Sequence, residues 1–288
     1  MRYGMSVPPF GPYADPNQLG DLAARAEAAG WDGFFVWDHV MYDPSFHPIG
    51  DVWVGLAAVA LKTQRLTIGT MVTPLARRRP WNVARETVAL DRLSNGRFVL
   101  GVGLGDPVAW DYGFFGEPTD AAVRAAKLDE ALAILAGLWT GEPFGFQGRH
   151  YTVAEVTFKP TPVQRPRIPV WVGGWWPNKR PLRRAARWDG MAPIGRNGDL
   201  DPEELAEAVA YVRRHRTTDA AFDVVVAGGT GPAAGDARRL AAYLKAGATW
   251  WMEDISPWRF GADPEAQWTE RDTAAIERRV AAGPPKPE

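Results

Sequence analysis

Apolar residues recur along this chain at two alternating spacings, and their order predicts a succession of strand and helix units. Arg2 to Ser6 reads as a first short strand. Asp15 to Ala29 reads as a helix, with Leu19, Leu22, Ala26 and Ala29 at helical spacing and Gly30 as its stop. A strand follows at Gly33 to Trp37, then a helix at Val52 to Leu61, a strand at Leu66 to Val72, a helix at Trp81 to Leu93, a strand at Phe98 to Gly103 and a helix at Ala121 to Trp139. After a stretch rich in Gly, Pro and aromatic residues the pattern resumes with a strand at Ile168 to Val172, a helix at Pro181 to Arg187 and a short strand at Gly190 to Pro193. Pro202 to Arg214 is a helix with Asp201 as its N-cap, and Phe222 to Ala227 is a strand. Asp236 to Lys245 is a helix stopped by Gly247, Thr249 to Ile255 a last strand, and Pro264 to Ala281 a last helix.

Strands alternating with helices imply parallel pairing. Eight such units in 288 residues match an α/β fold of the closed (β/α)8, or TIM, type. Insertions are expected after strands four and five. An open doubly wound sheet is the alternative arrangement. One domain is expected over residues 1–282, with a disordered tail over 283–288. The formal net charge of -1 gives no general pull toward nucleic acid or an anionic membrane. No apolar run is long enough to cross a bilayer, and the N-terminus lacks a basic segment followed by an apolar signal core, so a cytoplasmic location is expected. The chain has no Cys, which excludes disulfides, cysteine nucleophiles and thiolate metal sites.

Barrel enzymes keep their chemistry at the C-terminal ends of the strands. The run Gly33 to Trp37 delivers Asp38 and His39 side by side to such an end. An imidazole titrates near neutral pH and can pass a proton, which makes His39 the candidate catalytic residue. Asp38 can orient His39, contact a cofactor, or face the barrel wall as a capped carboxylate. Asp38, His39, Asp43 and His47 also raise a metal-dependent hydrolase, but the first strand has no His, the cluster sits among Pro44 and Pro48, and tetrahedral spacing is absent. No metal is expected.

Gly101-Val-Gly103-Leu-Gly105 has the wrong spacing for a dinucleotide loop and suits close approach of the backbone to a ligand. Gly229-Thr-Gly231-Pro-Ala-Ala234 does fit that spacing, yet it comes late in the chain and Pro232 removes a backbone donor; in a barrel such a loop can hold an anion. Arg77-Arg78-Arg79 is either a solvated charge run or a site for an acidic ligand. Trp110, Phe114, Phe115, Trp175 and Trp176 fall in loops that would rim the mouth.

Several segments together resemble one family. They are Asp38-His39, Leu66 to Pro74, Leu93 to Gly103, Pro162 to Gly174 and Ala185 to Gly190, and they occur in the order found in the bacterial luciferase-like flavin-dependent oxidoreductases. The resemblance implies a TIM-type barrel that binds coenzyme F-420 or FMN across its mouth, with F-420 slightly favoured, and carries out hydride transfer or monooxygenation of a small organic substrate. It implies a proton-handling role for His39, a ring-supporting bulge at Thr70, Met71 and Val72 where a non-proline cis peptide is often found, and cofactor contacts from Asp38, Gly103, Leu104, Gly173, Gly174 and Trp175. The glycine pair would receive the cofactor phosphate. A separate flavin reductase is expected if FMN is used, and members are often homodimers. A non-catalytic flavin carrier is the other reading, one that would dispense with His39. Asp106 and Ala109 depart from the pattern of the sugar-phosphate-oxidising relatives, so that substrate class is not expected.

Overall fold

Parallel strands that are apolar on both faces close into a barrel when helices cover the outer face, and β-type runs such as Gly33–Val36 and Phe98–Gly103 are buried throughout in this chain. The structure, a computed structural model, describes residues 1–42, 48–195, 198, 200–231, 236–261 and 268–285. The first half runs β1 (Arg2–Val7), α1 (Pro16–Ala28), β2 (Gly33–Val36), α2 (Val52–Lys62), β3 (Thr67–Thr70), β4 (Thr73–Pro74), α3 (Pro80–Leu93), β5 (Phe98–Gly103), α4 (Val108–Asp111) and α5 (Ala121–Thr140). The second runs β6 (Pro143–Gln147), β7 (Thr152–Thr157), β8 (Val170–Trp175), α6 (Lys179–Ala185), β9 (Gly190–Ile194), α7 (Pro202–His215), β10 (Asp223–Gly228), α8 (Asp236–Ala246), β11 (Trp250–Asp254) and α9 (Glu270–Ala281).

The strand order is β3-β2-β1-β11-β10-β9-β8-β5, and a further pairing of β3 with β5 closes the ring. That closure, with Ile68 opposite Phe98 and Gly69 opposite Val99, settles the choice between barrel and open sheet. The expected strand Leu66 to Val72 is shorter in the structure, where β3 ends at Thr70, and pairing resumes beyond it in β4, with Thr73 opposite Val102. One insertion lies after the fourth barrel strand, β5, as expected. The connection after the fifth, β8, is short, and the second insertion precedes it as the antiparallel hairpin β6–β7. The hairpin is held to α5, where Glu130 accepts from the amides of Arg149, His150 and Tyr151. The last helix begins, among the described residues, at Glu270, with Thr269 accepting from the Asp272 amide; residues 262–267 and 286–288 lie outside the description. Gly283, at the start of the expected tail, packs on the Ala29 carbonyl and accepts from Arg279 Nη1.

The interior is filled by Phe35, Val99, Trp171, Ala192, Val225, Trp250 and Met252, all buried. Phe35 stacks on Trp171 with ring centroids 5.0 Å apart, and Trp250 meets both rings edge-on. Such large rings fit because neighbouring strands present glycine inward: a Cβ at Gly33 would meet the Trp250 ring, and one at Gly69 the Phe35 ring. The outward residues of the same strands, such as Phe34, Val36, Leu100 and Trp251, join the helices in the main core. Among the described residues no helix is long and apolar enough to cross a membrane.

Candidate functional site

Three C-terminal connections converge beside β2. Past Val36 the chain runs out of the barrel as Trp37, Asp38 and His39, with the Trp37 indole N–H donating 2.7 Å to Ser6 Oγ on β1. Arg77 and Arg78 follow β4, and Asp111 ends α4 after β5.

Asp38 is 1% exposed and faces the two arginines. Arg78 grips the carboxylate with Nε 2.9 Å from Oδ2 and Nη2 2.6 Å from Oδ1, a two-bond arrangement. Arg77 Nη2 donates to the Asp38 carbonyl at 2.6 Å and to Oδ1 at 3.0 Å. Burial pushes the Asp38 carboxyl up, but the Arg78 and Arg77 charges and their hydrogen bonds outweigh it, and the group is held below the usual carboxylate range. Both carboxylate oxygens of Asp38 are therefore engaged by guanidinium groups. The arginine run is accordingly no solvated face at Arg77, whose side chain is only 4% exposed. With Asp38 so engaged, the four-residue metal reading loses a ligand; its other members Asp43 and His47 lie outside the described residues.

His39 is partnered by Asp111 and not by its neighbour in sequence. Its Nδ1 lies 3.4 Å from Asp111 Oδ2, and the ring, 11% exposed in its side chain, is packed by Phe10, Trp37 and Tyr42 at centroid distances of 5.1 to 6.0 Å. Asp111 Oδ1 accepts from the Val40 amide at 2.7 Å. Burial raises the Asp111 carboxyl; the His39 hydrogen bond and the Arg77 charge lower it further than burial raises it. Sequence reasoning missed Asp111. The available signal was an acidic residue inside the otherwise apolar and aromatic run Val108 to Phe115. It also missed Asp254, at the C-terminal end of β11, whose carboxyl burial pushes above its usual range despite the Ser256 amide donating to it at 2.8 Å.

The expected cofactor-shell residues gather at the adjoining strand ends. The Met71–Val72 peptide is cis. Val72 spans the two glycine positions: a Cβ at Gly103 would lie 2.7 Å from its Cγ2, and one at Gly173 3.1 Å from its Cγ1. The result is an apolar floor at the ends of β5 and β8. Met71 packs on the barrel interior, and Thr70 turns its hydroxyl to the Gly101 carbonyl at 2.8 Å. The Leu104 carbonyl is occupied by Tyr112 Oη at 2.9 Å and by Arg124 Nη1 at 2.6 Å, which anchors the loop after β5. Trp175 is 48% exposed and, with Trp176, Pro177 and Asn178, lines an open depression of about 520 Å3.

Gly174 has a packing reason of its own. A Cβ there would fall 2.3 Å from Cβ of Pro181 in α6, a rigid ring that cannot swing aside. Gly174→Ala is therefore expected to lower the unfolding free energy by roughly 1–3 kcal/mol, read as a lower urea midpoint; an unchanged midpoint would show that α6 yields freely. In the loop after β10 the amides are already used: Thr230 N donates to Glu253 at 2.8 Å and Gly231 N to Asp236 at 2.6 Å. That loop offers no open amide cradle at these positions.

A closed parallel barrel with an imidazole, a buried carboxylate and an apolar floor at its C-terminal mouth defines a TIM-barrel protein with a candidate site at the mouth. The chain belongs to the luciferase-like monooxygenase family, whose pattern matches residues 1–286. It is 32% identical over 198 residues to an F420-dependent glucose-6-phosphate dehydrogenase of Microbacterium testaceum, covering 67% of this chain and 57% of that relative. A namesake from Nakamurella multipartita is 33% identical over 186 residues, covering 61% of this chain and 50% of the relative. The chain thus matches about half the length of these curated relatives. Among solved structures it resembles a coenzyme F420 dependent tetrahydromethanopterin reductase from Methanopyrus kandleri, with a TM-score of 0.73, 16% identity and 98% of both chains covered. An F420-dependent secondary alcohol dehydrogenase, solved with an F420-acetone adduct, gives a TM-score of 0.71 at 17% identity over 88% of this chain and 93% of that one.

Proposed function

We propose that this chain is an oxidoreductase that uses coenzyme F-420, with FMN as the alternative, to oxidise or reduce a small organic substrate at the barrel mouth. The observation that carries the reading is the placement of His39 at the C-terminal end of the barrel, at the strand ends adjoining the apolar floor of Val72, Gly103 and Gly173. That floor suits a flat ring, because no side chain rises from Gly103 or Gly173 and Val72 presents only methyl groups. A bound deazaflavin or flavin supplies the hydride chemistry, and the remaining tasks fall to the protein.

In this reading Met71, Val72, Gly103 and Gly173 support the ring, and Thr70 holds that support by tying β3 to β5. Gly174, together with Gly173, faces the cofactor phosphate, Leu104 and Trp175 flank the cofactor, and Asp38 acts by fixing Arg77 and Arg78. His39 takes up or releases the proton that accompanies hydride transfer. The relatives' names support F-420 over FMN. Asp106 and Ala109 keep a sugar phosphate out of the proposal.

Titration of the purified protein with F-420 and with FMN, oxidised and reduced, followed by fluorescence, tests this directly. Saturable binding of F-420 alone is the expected result and points to hydride transfer without oxygen. Binding of reduced FMN alone would move the reading to a monooxygenase supplied by a separate reductase, and binding of neither would remove the redox reading altogether.

A further inference from the structure

Three buried polar atoms at the site make no hydrogen bond among the described residues: His39 Nδ1, Arg77 Nε and Asp111 Oδ2. The carboxylate oxygen lies between the two nitrogens, 3.4 Å from each. These are ion-pair distances, longer than a tight hydrogen bond, and such contacts are commonly loose before ligand binds. Buried polar groups are rarely left unsatisfied, so the pairing that satisfies them is the informative one.

The chemistry of each group permits only one assignment. Asp111 Oδ1 already accepts from the amides of Val40 and Met41, at 2.7 and 3.3 Å, and Oδ2 faces the Arg77 guanidinium. The carboxylate is therefore ionised and can only accept. Arg77 is held in place from the other side by Asp38, which Arg78 completes, so two carboxylates and two guanidinium groups balance in charge around the imidazole. An acceptor-only oxygen facing Nδ1 requires a hydrogen on Nδ1, and a neutral imidazole with hydrogen there has a bare lone pair on Nε2.

We propose that Asp111 is a positioning residue that fixes His39 as the Nδ1–H tautomer, so that the catalytic proton moves at Nε2. When Nε2 takes a proton from an X–H bond of the substrate, the imidazolium formed keeps Nδ1–H against Asp111, whose negative charge offsets it. The inference builds on the proton-handling role of His39 proposed above. The spectroscopic test that decides it needs neither cofactor nor substrate, so its failure is distinguishable from failure of that role.

The test is a two-bond proton–nitrogen correlation spectrum of 15N-histidine-labelled protein at alkaline pH, with the His39 signals identified by their loss in His39→Asn. The expected result is a protonated Nδ1 and an unprotonated Nε2; the reverse pattern, or an even mixture, overturns the proposal. Asp111→Asn keeps an acceptor for the Val40 amide and removes the charge. In that variant the Nε2–H form is expected to gain population and kcat to fall by roughly 10²-fold with KM changed less than about threefold. An unchanged tautomer in a folded Asp111→Asn protein would likewise overturn the assignment. If the variant does not fold, the wild-type spectrum decides alone.

Discussion

His39→Asn is expected to lower kcat by about 10²- to 10⁴-fold, the usual contribution of a positioned general acid or base. The affinity for oxidised cofactor should stay within about threefold, because the floor of Val72, Gly103 and Gly173 carries no part of the imidazole. The amide of Asn can hydrogen-bond but does not titrate near neutral pH, so the substitution removes proton handling and keeps a polar group in place. Steady-state kinetics with the cofactor identified by titration, together with the cofactor dissociation constant of the variant, measures both quantities. Turnover at the wild-type rate with normal binding would remove His39 from the mechanism and leave it as a member of the aromatic cluster with Phe10, Trp37 and Tyr42.

The second large effect belongs to stability. Asp38→Asn leaves the two guanidinium groups facing a neutral amide in a buried site, and breaking a buried pair by removing one partner typically costs about 3–5 kcal/mol. A loss of that size should appear as a lower urea midpoint at neutral pH. A loss below about 1 kcal/mol would mean that Arg77 and Arg78 reach water or other acceptors without Asp38.

The same cluster sets a pH dependence. The folded-state carboxyls of Asp38 and Asp111 are both held below their ordinary range, so the unfolded chain binds more protons than the folded one in acid. Their stabilisation is complete above the unfolded pKa of about 4 and is lost as pH falls through the lower folded values. Urea midpoints of the wild type should therefore decline from about pH 5 downward, and the decline should be shallower in Asp38→Asn, which has one fewer such carboxyl to protonate. An equal slope in the two proteins would assign the acid sensitivity to other groups.

Much of the fold could be read from spacing alone. Strand period and helix period alternate in the order the barrel needs, and Asp15, Asp201 and Gly247 mark helix ends where the structure has them. The hairpin β6–β7 was less legible, since Gly141, Gly145 and Gly148 break the alternation on which a strand is recognised. The break between Thr70 and Thr73 was not legible from spacing, and the bulge expected at Thr70, Met71 and Val72 rested on the family resemblance alone.

The site divides in the same way. That Asp38 and His39 stand at a strand end, with glycines at the ends of two other strands, follows from local pattern, because a strand carries its next residues to a known edge of the sheet. Which carboxylate serves which cation does not follow. His39 adjoins Asp38 in sequence but pairs with Asp111, while Asp38 pairs with Arg77 and Arg78. By itself the sequence determined the alternation of strands and helices, the strand end to which Asp38 and His39 are carried and the residue types placed there, while the closure of β3 on β5 that makes the sheet a barrel is a tertiary fact. Only tertiary structure decided the pairing, because closing the barrel brings together loops that lie far apart along the chain, and burial then leaves each charge with whichever partner the closure sets against it.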